Sequence, residues 1–201
     1  MTSSHRDNIT NKHFDWEKEL GDASQETGAK SYNAFSFHEK HVKEYLSTLL
    51  SELDAQQVIN AANLLEEADF GPEWQAQEIW KATKATAEWI ELIYGDDTVV
   101  KLTDVNETLV KRDCMTKESF RSYWLYFVSP PQPLPQCPPS MLPELAKRVT
   151  EDYYRLRHSD IYGGRNSYGL SLNDLVQQVE KDTSELQNIS RRLNQSKGAI
   201  A

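Results

Sequence analysis

The sequence has no run of apolar residues close to the roughly 20 that a transmembrane helix requires, so we expect no membrane association. It also begins without a charged-then-apolar leader, and we therefore expect a cytoplasmic protein. Cysteine is scarce, because Cys114 and Cys137 are the only two, and neither belongs to a Cys-x-x-Cys or Cys/His pattern. This scarcity argues against a disulfide framework and a zinc site, and we expect free thiols and no metal or other cofactor.

Enzyme motifs and excess positive charge are also missing. The chain contains no Gly-x-Gly-x-x-Gly, no Gly-Lys-Ser phosphate loop and no Gly-x-Ser-x-Gly nucleophile turn. Acidic residues number 31 against 22 basic ones, which gives a formal net charge of −9. Because binding to phosphates depends on clustered Lys and Arg, we do not expect nucleic acid as a direct ligand. An acidic protein could instead bind a basic partner or mimic phosphates on a nucleic-acid-binding surface.

A length of 201 residues suits one domain, or one domain with an appended arm. Residues 1–30 are polar with few apolar anchors, and we interpret them as a mobile tail that docks through Phe14 and Trp16. Seven of the eight prolines lie between Pro130 and Pro143, which predicts an extended connector. The predicted units are the tail at 1–30, a helical core at 31–128, the Pro-rich connector at 129–143 and C-terminal helices at 144–201.

Apolar residues at helical spacing predict a mainly α fold of four or five helices. Asp54 with Gln57 forms a capping box at the start of one helix, and a long helix from Glu73 ends at Gly95. We expect the tryptophans of that long helix to lie in the core. Residues 98–111 contain two short β-branched runs separated by a polar turn, which predicts one small β-hairpin.

A heptad pattern over residues 171–195 is the least ambiguous signal. Six of its seven seam positions are apolar, and the helix is otherwise polar. A stripe this narrow favours coiled-coil contact with another helix. Because two Asp182 side chains facing each other would repel, we expect antiparallel or heterotypic pairing. Packing of the helix onto the chain's own body would produce the same stripe, and this alternative stays open. The predicted partner-binding residues are Leu172, Leu175, Val179, Asp182, Leu186, Ile189 and Leu193.

The sequence Tyr94-Gly95-Asp96-Asp97 resembles the metal-binding turn of viral RNA-dependent RNA polymerases. In that family the paired carboxylates hold Mg²⁺ ions that promote phosphoryl transfer. The companion Asp cluster and the nucleotide-selecting residues do not precede Tyr94 in this chain. We therefore interpret the four residues as a glycine helix stop followed by an Asp-rich turn, with Asp96 and Asp97 not catalytic.

Two arginines and a histidine at the end of a predicted helix, Arg155, Arg157 and His158, resemble the Arg and His pair of HEPN-type ribonucleases. Proteins of that family are small, helical and dimeric. The resemblance implies that the His acts as acid or base while an Arg stabilises the phosphate oxyanion. The spacing differs from the family pattern, because both arginines lie very close to His158.

His38 and His41 lie three residues apart on a predicted helix, but the sequence shows no third or fourth ligand at compatible spacing. We interpret them as a solvent-facing pair. The function that these patterns favour is a non-enzymatic interaction or assembly module that binds itself or a protein partner through its C-terminal helix. The alternative is a HEPN-like RNA-cleaving dimer that uses Arg155 or Arg157 with His158.

Overall fold

The computed structural model describes residues 36–130, 137–162 and 171–199. The tail predicted at 1–30 and the central prolines of the connector lie outside these residues.

Seven α-helices and no β-strand are found in the described residues, apart from one isolated bridge between Asp54 and Val99. The mainly helical prediction is confirmed, but the described helices outnumber the expected four or five. They are α1 (36–49), α2 (Ala55–Ala62), α3 (Trp74–Tyr94), α4 (Leu102–Lys111), α5 (Glu118–Val128), α6 (Leu142–Tyr162) and α7 (Leu172–Ala199).

The hydrophobic core lies where α1 to α6 meet, and polar side chains fix their mutual positions. Tyr45 of α1 is fully buried, and its hydroxyl donates to the carbonyl oxygen of Ala61 in α2 at 2.9 Å. The indole of Trp80 in α3 donates to Ala62, the last residue of α2. The N-cap half of the capping box predicted for α2 is confirmed, since the Asp54 carboxylate accepts from the backbone of Gln57 at 2.7 Å.

The β-hairpin predicted at residues 98–111 is wrong. Residues 98–100 form a loop beside the start of α2, and the rest of the segment forms α4. The reason is that Leu102, Val105 and Leu109 are three and four residues apart, which is the spacing of one helix face. Val105 and Leu109 are buried in the core, and this packing outweighs the weak β-propensity of the neighbouring Val and Thr residues.

The two cysteines are free, with Cys114 buried and Cys137 half-buried. Past the connector, Leu142, Leu145 and Val149 of α6 join the same core as α1 to α5. The C-terminal part of the chain is therefore packed against the helices that precede the connector.

Helix α4 can be tested by a pair of neighbouring substitutions. Leu109→Ala should lower the free energy of unfolding by about 3 kcal/mol, because it opens a cavity at a fully buried position. Val110→Ala is the matched control, and it should change that free energy by less than about 0.5 kcal/mol because Val110 is exposed. Urea unfolding followed by circular dichroism measures both, and equal losses would contradict this placement of α4.

Candidate functional site

The C-terminal helix α7 packs along α6 in the opposite direction. Tyr153 and Arg157 of α6 both contact Glu185 of α7. Further along α7, Arg192 binds Asp69, in the short 3-10 helix Glu67–Phe70 that adjoins Tyr153. As residue numbers rise along α6, the numbers of the neighbouring residues in α7 fall, so the two helices form an antiparallel pair.

The structure divides the predicted heptad seam into two parts. Asp182, Leu186 and Ile189 are buried against the chain's own body, so part of the stripe already has an intramolecular partner. Val179 is 54% exposed, and Val176, which lies beside the seam, is 49% exposed. Leu175 and Leu193 are half-buried, and the side chain of Leu172 is outside the described set. The Asp182 carboxylate accepts a hydrogen bond from Gln178.

Arg192 fixes the C-terminal half of α7 through a bidentate ion pair. Its two terminal nitrogens donate to the carboxylate of Asp69 at 2.7 and 2.9 Å. The Asp69 side chain is completely buried and also accepts from the backbone N–H of Glu66. Burial by itself would lower the pKa of Arg192, but the hydrogen bonds and charge of Asp69 outweigh this effect and raise it. The raised pKa keeps the Arg192 guanidinium charged beside the buried carboxylate.

A second anchor joins α6 to the middle of α7. Arg157 donates two hydrogen bonds to Glu185 at 2.7 and 2.8 Å, and the hydroxyl of Tyr153 donates a third at 3.0 Å. The hydrogen bond from Arg157 lowers the pKa of Glu185 below its ordinary range. Burial and the hydrogen bond to Glu185 raise the pKa of Tyr153 to about 12, so its hydroxyl remains a donor.

The interpretation of His38 and His41 as a solvent-facing pair is wrong. His38 is fully buried, with Nε2 donating to the carbonyl of Asp69 at 2.7 Å and Nδ1 lying 3.2 Å from Glu73. His41 is half-buried and donates to the carboxylate of Asp152 at 2.6 Å. Each ring turns towards a different acidic residue, so the pair does not converge on one point. In the described ranges, no three His, Cys, Asp or Glu side chains are grouped in a way that could hold a metal ion.

Of the three residues that resemble a HEPN site, the two arginines form ion pairs and the histidine side chain lies on the surface. Arg155 donates to Asp152 at 2.6 Å, and Arg157 is held by Glu185. His158 is exposed, with its ring centroid 6.3 Å from that of Tyr154. Arg157 is bound to its carboxylate by two hydrogen bonds, whereas the exposed Arg155 makes one, to a carboxylate of its own helix.

The Tyr94-Gly95-Asp96-Asp97 segment ends a helix rather than a strand. Gly95 follows the last residue of α3 with a φ of 98°, a conformation that glycine adopts readily, and this confirms the predicted helix stop. Asp96 and Asp97 are exposed in the turn that follows.

Sequence reasoning missed an exposed apolar surface at the C-terminal end of α3. Trp89, expected in the core, is 54% exposed, and Leu92 is 80% exposed. Because the buried stripe of α3 passes through Thr86 and Ile90, Trp89 lies about 100° away from Ile90 around the helix. That offset is the sequence signal that could have identified Trp89 as a surface residue.

Comparison with protein-family models, with curated proteins and with solved structures gave no match to this chain. None of the helices in the described parts of the chain is both long and apolar enough to cross a bilayer.

Arg192→Ala tests the anchor between α7 and the body. It leaves the buried Asp69 carboxylate without its counter-charge, and we expect the free energy of unfolding to fall by about 3 kcal/mol. The neighbouring Arg191→Ala removes an exposed guanidinium and should change that energy by less than about 0.5 kcal/mol. Urea unfolding separates the two variants, and equal stabilities would show that the pair contributes nothing.

The pair of Arg157 and Glu185 predicts an acid dependence. Because the folded-state pKa of Glu185 is lowered, the pair contributes stability above its ordinary pKa of 4.5, and this contribution is lost as pH falls through the folded-state pKa. Glu185→Gln should cost about 1 kcal/mol at neutral pH, since the pair is partly exposed. Urea unfolding at a series of pH values should show this difference shrinking below pH 4.5. A difference that stays constant into acid would contradict the assignment.

Proposed function

We propose that this protein is a non-enzymatic interaction module that pairs with a second copy of itself through the N-terminal half of α7. The observation that carries the proposal is the exposure of Val176 and Val179, while Leu186 and Ile189 further along the helix are buried. Successive residues of a helix are rotated by 100°, so these two valines lie about 60° apart on one flank of α7. Thr183 continues that flank without adding a charge.

The buried part of the seam limits how two copies can pair. Asp182, Leu186 and Ile189 would be available to another chain only if α7 detached from α6. If α7 detached, the buried Asp69 carboxylate would lose its ion pair with Arg192. We therefore infer that two copies pair through the valine flank while α7 stays packed on α6. A two-fold contact through the same flank of both copies, with the helices antiparallel, places their dipoles in opposite directions, which is electrostatically favourable.

The ribonuclease alternative has less support from these contacts. Arg155 and Arg157 are each bound to a carboxylate, and His158 lies on the surface near Tyr154. Arg157 therefore serves to hold α6 against α7, while Arg155 is bound to a carboxylate of its own helix. A fold whose ionic groups stabilise helix packing, and whose apolar side chains remain exposed, supports binding rather than catalysis.

The pairing can be tested by adding charge to the flank. Sedimentation velocity of the wild type over a range of concentrations should show a dimer, and the double variant Val176→Asp, Val179→Asp should be monomeric with unchanged helical circular dichroism. Leu125→Asp is the matched control, because Leu125 of α5 is exposed to a similar extent and should leave the dimer intact. A wild type that is monomeric throughout, or a control that dissociates equally, would contradict the proposal.

A further inference from the structure

The C-terminal end of α3 presents apolar side chains that the fold does not cover. Trp89, Leu92, Ile93 and Tyr94 are each more than half exposed, and Val99 follows them in the next loop. Trp89 and Tyr94 pack edge to face with their ring centroids 5.7 Å apart. The pair therefore forms a rigid aromatic ridge, which costs little conformational entropy when it is covered by a partner. We call these five residues the α3–α4 surface.

A groove of about 750 Å³ runs beside this ridge, between α3 and α4. Trp89, Tyr94 and Val99 line it from one side, and α4 closes the other side. Thr86 and Thr108, which also line the groove, join the two helices by a hydrogen bond of 2.8 Å between their hydroxyls. The groove is therefore formed by packed helices rather than by loops. Grooves between helices are common binding sites for amphipathic helices.

The ridge side of the groove is acidic, and its α4 side is balanced in charge. Residues 88–100 contain four acidic side chains and no Lys or Arg, whereas the charged residues that line the groove are Lys101, Asp104, Glu107 and Lys111. One lysine, Lys111, is paired with Glu107. Among the described residues no ion pair is formed by the four carboxylates of the ridge segment, which are Glu88, Glu91, Asp96 and Asp97. The C-terminal end of α3 adds the negative end of its helix dipole.

We propose that the α3–α4 surface binds a cationic amphipathic helix of a partner protein. The apolar side chains of that helix would cover Trp89, Leu92 and the groove. Its Lys or Arg side chains would contact the carboxylates of Glu88, Glu91, Asp96 and Asp97. Complementary charge of this kind favours the correct partner and speeds association. This site is separate from the valine flank of α7.

Other occupants fit the charge less well. A second copy in a two-fold contact would bring the same acidic residues opposite themselves, which is repulsive. Nucleic acids and anionic membranes would be repelled by the same carboxylates. The chain's own residues 1–30 contain six acidic and four basic residues, so they too are net negative.

The test uses a fluorescein-labelled synthetic peptide that has leucine at positions i, i+3, i+4 and i+7 and lysine elsewhere. The control peptide has the same leucines with glutamate in place of lysine. Fluorescence anisotropy with the full chain should show binding of the lysine peptide only, and added salt should weaken it. Equal binding of both peptides, or no binding of either, would overturn the proposal.

Variants of the chain test whether the peptide binds at the α3–α4 surface. Leu92→Ser should weaken binding about tenfold, as expected for an apolar anchor near the centre of an interface. Leu125→Ser is the control, because Leu125 is also a leucine that is more than half exposed, and it should leave binding unchanged. The double variant Glu88→Gln, Glu91→Gln should weaken binding about fivefold and reduce its salt dependence. The α7 double variant, Val176→Asp with Val179→Asp, should bind as the wild type does, whatever its oligomeric state.

Three outcomes would assign the surface differently and overturn the proposal. The first is a wild type that dimerises and a Leu92→Ser variant that does not, which would make a second copy the occupant. The second is peptide binding that is seen only after Trp16→Ser in the full chain, which would make the chain's own tail the occupant. The third is equal weakening by Leu92→Ser and Leu125→Ser, which would show non-specific adsorption.

Discussion

A fully buried carboxylate, that of Asp69, is the constraint on which the rest of the arrangement depends. Removing a carboxylate from water costs several kcal/mol unless donors replace the solvent. Three donors do so here, one from the backbone of Glu66 and two from Arg192. The carbonyl of the same Asp69 accepts from His38 of α1. One residue in a short turn therefore joins the first described helix to the last, although 123 positions separate Asp69 from Arg192.

This constraint divides α7 into two halves with different environments. The half that contains Leu186, Ile189 and Arg192 cannot leave the body without removing the ion pair of the buried Asp69 carboxylate with Arg192. The half that contains Val176 and Val179 instead leaves both valine side chains about half exposed. The exposed apolar area of α7 therefore lies in the half that does not contain this ion pair.

Local signals in the sequence were sufficient for the long helix α3 and for the cap at Asp54, because each depends on neighbouring residues alone. Features that depend on tertiary contact were not predictable in this way. The β-branched residues of 98–111 predicted a hairpin, but most of the segment forms a helix because this conformation buries Val105 and Leu109. A heptad stripe looks the same whether its partner is another chain or α6. Trp89 was assigned to the core by residue type, although its angular position on α3 directs it to the surface.

The distribution of charge follows from the same packing. Around α6 and α7, Asp69 and Glu185 are paired with arginines that join α7 to the body and to α6, and Asp152 is paired with Arg155 of its own helix. At the end of α3 the exposed side chains are apolar, and in the described residues the carboxylates beside the aromatic rings form no ion pair. Part of the chain's excess of acidic residues therefore lies beside uncovered apolar area. A surface that combines both properties selects cationic, amphipathic partners over acidic ones.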